Sequence, residues 1–214
     1  MSLSVPIREL TLPEALMAFL HASNGRPYES VKPGPLTAAA EVAELLTVGV
    51  ARLEGDAGRR LRVDARTPGD RSWVSEVTAE LSGHPTDLTA WIKRRNDALS
   101  TQQAEAAARG VLVAGRKRLL GLFPYGTHTV DPAVRRQLVE HLTGPRADAD
   151  PRAHVLARML VSSGLHRRYR LSRDERARLE RLSEHAPPTT PAPAALDAVD
   201  LAMATVLYAT VISD

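Results

Sequence analysis

Apolar residues recur along most of this chain at intervals of three and four, the spacing of helices that bury one face. Thr11, Leu12, Pro13 and Glu14 form a capping box with proline tolerated in the first turn. It opens a helix through Leu16, Met17, Phe19 and Leu20, with a stop predicted near Asn24 and Gly25. Past a loop at Lys32, Pro33, Gly34 and Pro35, the run 36–48 sets Val42, Leu45 and Leu46 on one side until Gly49 ends it. Helices follow over 71–81 and 87–109, the second broken near Asn96 and Asp97. Asp131-Pro132 and Asp150-Pro151 mark two further starts, because Asp caps free amides and proline at the first helical position loses no hydrogen bond. Ser172 with Glu175 starts a charged helix ending near Glu184, and the proline-rich loop 186–193 leads to a buried C-terminal helix over 195–212. Two stretches read as hairpins. In the first, 50–53 and 60–63 flank Gly55, Asp56, Ala57 and Gly58 in a polar ribbon. The second, at about 113–130, is apolar, with its turn expected at Phe123, Pro124, Tyr125 and Gly126. The pattern defines a mainly α, single-domain protein over 1–214: a helical bundle core surrounded by amphipathic helices, with two β-hairpins at about 50–63 and 113–130.

At 214 residues and 43% hydrophobic, the chain can bury a core without staples. It has no cysteine, which excludes disulfides and thiolate chemistry and allows a reducing compartment. The formal charge is +3, and the basic set is three lysines (Lys32, Lys93, Lys117) and a large majority of arginines, which mildly favours anionic partners. Heavy use of Arg and Ala also fits a GC-rich bacterial genome. The start, MSLSVPIREL, lacks the pattern of a signal peptide, so a cytoplasmic location is expected. The longest apolar run, 201–212, is far short of the roughly 20 residues a bilayer span needs.

No catalytic constellation is visible. The seven His are dispersed with no HExxH pairing, and His21, His141 and His154 fall near helix ends, where capping and dipole roles are the default. The 110–126 stretch has no glycine-rich phosphate loop, and Asp148 and Asp150 read as capping rather than cation binding. The reading is a non-enzyme with no cofactor and no metal. Basic clusters occur at Arg59-Arg60-Leu61-Arg62, Lys93-Arg94-Arg95, Arg116-Lys117-Arg118 and Arg167-Arg168-Tyr169-Arg170. A solvated face is the usual meaning of each. The third stands out because it immediately precedes Leu119, Leu120, Leu122 and Phe123, an order in which cations meet lipid phosphates while apolar groups enter the interface.

Four segments, TLPEALMAFL, AELLTVGVARLEG, ARGVLVAGRKRLLGLFPYGTHTVDP and DPRAHVLARMLVSSGL, together resemble the Golgi phosphoprotein 3 family, with similarity strongest over 10–185. The resemblance implies a helical domain whose eukaryotic members bind phosphatidylinositol 4-phosphate on Golgi membranes and recruit glycosyltransferases. It places the membrane-facing hairpin at 116–130. Eukaryotic members use a Trp and an Arg around the first long helix and two Arg before the second Gly-Val. Counted without gaps, these positions hold Glu29, Ala38, Asn96 and Leu99, and none matches. Tyr28 beside the first, and Lys93, Arg94 and Arg95 before the third, are the substitutes nearest to hand.

The expectation is therefore a non-enzymatic protein peripheral to the cytoplasmic membrane face. Leu119, Leu120, Leu122, Phe123 and Tyr125 would insert, and Lys93, Arg94, Arg95, Arg116, Lys117, Arg118 and Tyr28 would meet anionic phospholipid headgroups. A second reading uses the same hairpin as a homo-oligomer contact. A third, a winged-helix nucleic-acid binder, is disfavoured: 36–48 carries no Lys or Arg and 98–109 only its terminal Arg109, so no nucleic-acid partner is expected.

Overall fold

The computed structural model describes residues 6–55, 59–63, 71–119, 123–186, 190 and 192–208, with the side chains of 116–119, 123–125 and 205–208 outside the description. Its centre is α1 (Leu12–Leu20), buried at every position, as its apolar composition requires. The capping box is present: the Thr11 side chain accepts from Glu14 N and the Glu14 side chain from Thr11 N. The helix stops at Leu20, short of the predicted Asn24, because the chain turns at His21 into a tight loop. Next comes α2 (Pro33–Thr47), which starts earlier than the Pro-Gly-Pro sequence suggested. Prolines at the first helical positions supply the right φ and forfeit only amides that would lack partners.

Around this pair stand α3 (Ser72–Leu81), α4 (Leu88–Arg94), α5 (Ala98–Ala108), α6 (Pro132–Thr143), α7 (Pro151–Ser162), α8 (Arg173–Glu184) and α9 (Ala192–Tyr208). The break between α4 and α5 falls at 95–97, where the sequence put it. Asp131 caps α6, Asp150 caps α7, and Ser172 with Glu175 completes a second capping box on α8. The last helix begins at Ala192, inside the expected proline-rich loop. It packs on α2 and α7, while α1, α5 and α7 close the other sides of the core.

Buried acids bind α1 and α2 to the rest. Glu44 accepts Leu12 N at 2.9 Å and takes Arg152 Nη2 at 2.6 Å, while Glu14 takes Arg71 Nε at 2.6 Å. Cutting a fully buried leucine such as Leu16 or Leu45 back to alanine here is expected to cost about 2–5 kcal/mol.

The polar hairpin is β1 (Ala51–Glu54) against β2 (Arg60–Val63), and a two-residue strand that the pattern did not show, β3 (Thr86–Asp87), extends it to three. Arg52 lies opposite Arg62, a repulsive register that Glu54 offsets by pairing with both, at 2.9 and 3.7 Å. The second hairpin, β4 (Leu112–Leu119) with β5 (Phe123–Val130), forms a separate two-stranded sheet.

Candidate functional site

The β4–β5 ribbon follows α5 directly and packs chiefly on it. Its eight register pairs run from Leu112 opposite Val130 to Leu119 opposite Phe123, a rise of about 23 Å at 3.3 Å per residue. The turn is not where the sequence suggested. Phe123, Pro124, Tyr125 and Gly126 belong to β5 and face Leu119, Arg118, Lys117 and Arg116 in register. The turn preference of Pro and Gly misled here, because in a two-stranded ribbon both strands are edges that tolerate them. Leu120 and Leu122 lie outside the described residues, as do the side chains of Arg116, Lys117, Arg118, Leu119, Phe123 and Tyr125.

The root of the ribbon is fastened to the loop that follows α1. Tyr28 N donates to Leu20 O at 2.9 Å and closes that loop, and at its tip Gly25 O accepts from His128 N, also at 2.9 Å. Gly25 sits at φ +84°, and a Cβ there would fall 2.8 Å from the Thr127 Cβ, so glycine is needed both for the backbone and for the approach. Thr127 is buried, and the His21 and His128 rings meet edge to face at 5.8 Å between centroids. His21 Nδ1 donates to Met17 O at 3.0 Å, so in the neutral ring Nε2 accepts from Gln103 Nε2 at 3.0 Å. Burial pushes both imidazoles below the ordinary histidine range; for His21 the neighbouring His128 and Arg135 add to the effect and the Met17 hydrogen bond opposes it.

Of the basic residues on α4, Lys93 and Arg94 are exposed, but Arg95 is not. The chain leaves the helix at Arg95, and its side chain, 4% exposed, turns inward. Its Nε donates to Glu41 Oε2 at 3.1 Å, and Nη1 meets Glu76 at 2.9 Å and Asp97 at 2.8 Å. Gln102 Nε2 holds the other Glu41 oxygen at 2.8 Å. Desolvation raises the Glu41 carboxyl above its usual range against the pull of Gln102 and Arg95. Arg95 is therefore withdrawn from the headgroup set: its charge is spent on a buried carboxylate. At the four positions reached by ungapped counting, Glu29 and Asn96 are exposed, Leu99 is half-buried, and Ala38 is fully buried.

Tyr28 gains a partner that the sequence did not connect to it. The Arg168 guanidinium lies over its ring at 5.4 Å and donates through Nη2 to Ser30 Oγ at 3.3 Å. Beside them, the Tyr169 hydroxyl donates to Phe19 O, and Arg135 stacks on the Tyr169 ring at 4.5 Å while bonding Ala18 O and His21 O. The basic run 167–170 is plain in the sequence. Its position beside Tyr28, across some 140 residues of chain, has no local signal.

Two other histidines serve the fold: His141 Nε2 pairs with Asp150 at 2.8 Å, and His154 bridges Leu182 O and Asp148 O. Asp148 pairs with Arg178, and Asp150 caps α7 through Arg152 N. Among the described residues no group of three His, Cys, Asp or Glu is placed to hold a metal ion, and no helix is long and apolar enough to cross a membrane.

The molecule is thus a mainly α-helical domain with a polar three-stranded sheet and a separate two-stranded ribbon. The sequence profile of the Golgi phosphoprotein 3 (GPP34) family matches residues 12–202, nearly all of the chain, and the chain belongs to that family. Comparison with curated protein sequences gives no match.

Proposed function

We propose that this protein is a non-enzymatic peripheral membrane protein that docks on anionic phospholipid through the distal β4–β5 ribbon. The observation that carries the reading is the ribbon itself. A two-stranded ribbon is marginal unless packed, yet this one is rooted firmly at Gly25, Thr127 and His128 and ends in an apolar sequence flanked by Arg116, Lys117 and Arg118. Family membership supports the same conclusion.

Burial of two or three large apolar side chains at about 1.5–3 kcal/mol each suffices for reversible attachment, with about 1 kcal/mol added per basic residue near an anionic surface. Glu29, Ala38, Asn96 and Leu99 offer no cationic cluster for phosphoinositide reading. Vesicles containing phosphatidylinositol 4-phosphate are accordingly expected to bind no better than phosphatidylserine vesicles of equal net charge. The test is vesicle co-sedimentation of the wild type against a Leu122→Glu, Phe123→Glu variant. The variant is expected to stay in the supernatant, and equal pelleting of the two proteins would sink the reading. If the wild type fails to pellet and light scattering shows an oligomer that Phe123→Glu dissociates, the ribbon is a self-association element instead.

A further inference from the structure

We infer that Arg168, held by Tyr28 and Ser30, is a headgroup-phosphate contact of the docked protein, a role the sequence pattern had given to 93–95; the inference rests on the docking reading above. An arginine laid with its face on an aromatic ring and one donor tied to a hydroxyl has already lost much of its rotamer freedom, and its remaining donors form a fork suited to phosphate oxygens. Arg168 is exposed, as are Arg167 and Arg170 beside it, and none of the three pairs with a carboxylate among the described residues. Glu29, between Tyr28 and Ser30 in the sequence, is exposed. By contrast, Arg71, Arg95, Arg136, Arg152, Arg158 and Arg178 are each engaged with Asp or Glu.

Chain connectivity keeps this surface close to the ribbon root. The loop that carries Gly25 against the ribbon root also ends in Tyr28, closed by the Tyr28 N to Leu20 O hydrogen bond. Gly25 and Tyr28 are three residues apart, at most about 11 Å of chain. Along β5, Phe123 and Thr127 are four residues apart, a rise of about 13 Å. A tip immersed by about 5–10 Å brings Thr127 and Gly25 close to the headgroup layer, itself about 5–7 Å thick on each side of a bilayer. The long side chain of Arg168 can then reach the phosphates. Among the described residues no hydrogen bond or ion pair joins Lys93 or Arg94 to the ribbon or its supporting loop.

The experiment measures binding to phosphatidylcholine vesicles containing phosphatidylserine for Arg168→Gln, Arg168→Lys and the double variant Lys93→Gln, Arg94→Gln, with circular dichroism and melting temperature recorded for each. Arg168→Gln is expected to weaken binding about five-fold, the loss for one basic residue at an anionic surface. Arg168→Lys, which keeps the charge but not the fork, should recover part of it. The double variant should lose less than Arg168→Gln although it removes twice the charge. Wild-type affinity in Arg168→Gln, or a larger loss in the double variant, overturns the inference. If either result comes with loss of binding in Leu122→Glu, Phe123→Glu, the docking reading stands and only the role of Arg168 falls; a wild type that binds no vesicles removes both. Should Arg168→Gln unfold, equal binding by folded Arg168→Lys and wild type would overturn the fork.

Discussion

Replacing Arg95 by methionine separates an interior role from a headgroup role. Arg95 and Glu41 are both almost fully buried, with Nε and Oε2 3.1 Å apart. At the effective dielectric suited to proteins, two unit charges about 4 Å apart attract by about 4 kcal/mol, but each costs several kcal/mol to remove from water, so the pair itself adds little net stability. Removing only the cation leaves a carboxylate in the core, and breaking such a pair costs about 3–5 kcal/mol. The other two carboxylates on Arg95, Glu76 and Asp97, are more than half exposed and can return to water, so Glu41 carries the penalty. Glu41→Gln should lose less, about 1–2 kcal/mol, because its raised pKa already works against folding at neutral pH. The double variant Glu41→Leu, Arg95→Met should be more stable than Arg95→Met alone, with a coupling well above 1 kcal/mol. Urea denaturation of these variants and of Glu41→Leu alone, which closes the cycle, measures all of this. A loss below about 1 kcal/mol for Arg95→Met, with no coupling, would refute the buried pair and return Arg95 to the surface.

Gly25→Ala should cost about 1–3 kcal/mol from its positive φ and the 2.8 Å approach to Thr127, and should speed amide exchange at His128; unchanged exchange would mean that the loop does not hold the ribbon. Asp150→Ala removes the cap on Arg152 N and the partner of His141, an expected loss of about 1–2 kcal/mol in urea melts. Burial acts to raise the Asp150 carboxyl, but the His141 and Arg152 hydrogen bonds hold it below the usual range. Its contribution is therefore present above about pH 4 and lost as pH falls through the depressed value, where wild type and variant should converge. His21 and His128 are depressed chiefly by burial, so the unfolded chain binds more protons. Their contribution is complete above about pH 6.5 and lost as pH falls from there through their lowered values. His128→Gln should flatten the fall in melting temperature over that window, and an unchanged slope would exclude His128 as a source.

The helical frame was legible because its signals are local. Thr11 with Glu14, Ser172 with Glu175, and the Asp-Pro pairs at 131 and 150 each satisfy specific amides, and all four cap the helices they announced. Elements specified by distant partners were not. The strand Thr86–Asp87 is too short for a period and exists because Arg60 and Leu61 present an open edge to it. Lys93, Arg94 and Arg95 are equivalent as letters, and only the turn after α4 decides that the third points inward to Glu41. The ribbon is plain in the sequence, but the run Phe123 to Gly126 reads locally as its turn, whereas an edge strand accommodates Pro124 and Gly126. The sequence marks Tyr28 but not its partner Arg168, since packing of the segment after α7 against Ser30 is a purely tertiary contact.

The proline in β5 has a consequence for assembly. Pro124 has no N–H to offer a further strand, and opposite it β4 runs through three consecutive basic residues, Arg116, Lys117 and Arg118. A ribbon with two open edges is a template on which a neighbouring chain could extend the ladder, and a like-charged second copy is poorly suited to do so along this stretch. The distal ribbon can therefore remain uncovered at high concentration without seeding fibres. Association between copies through this ribbon would use its faces, and so would compete with the proposed membrane docking for the same residues.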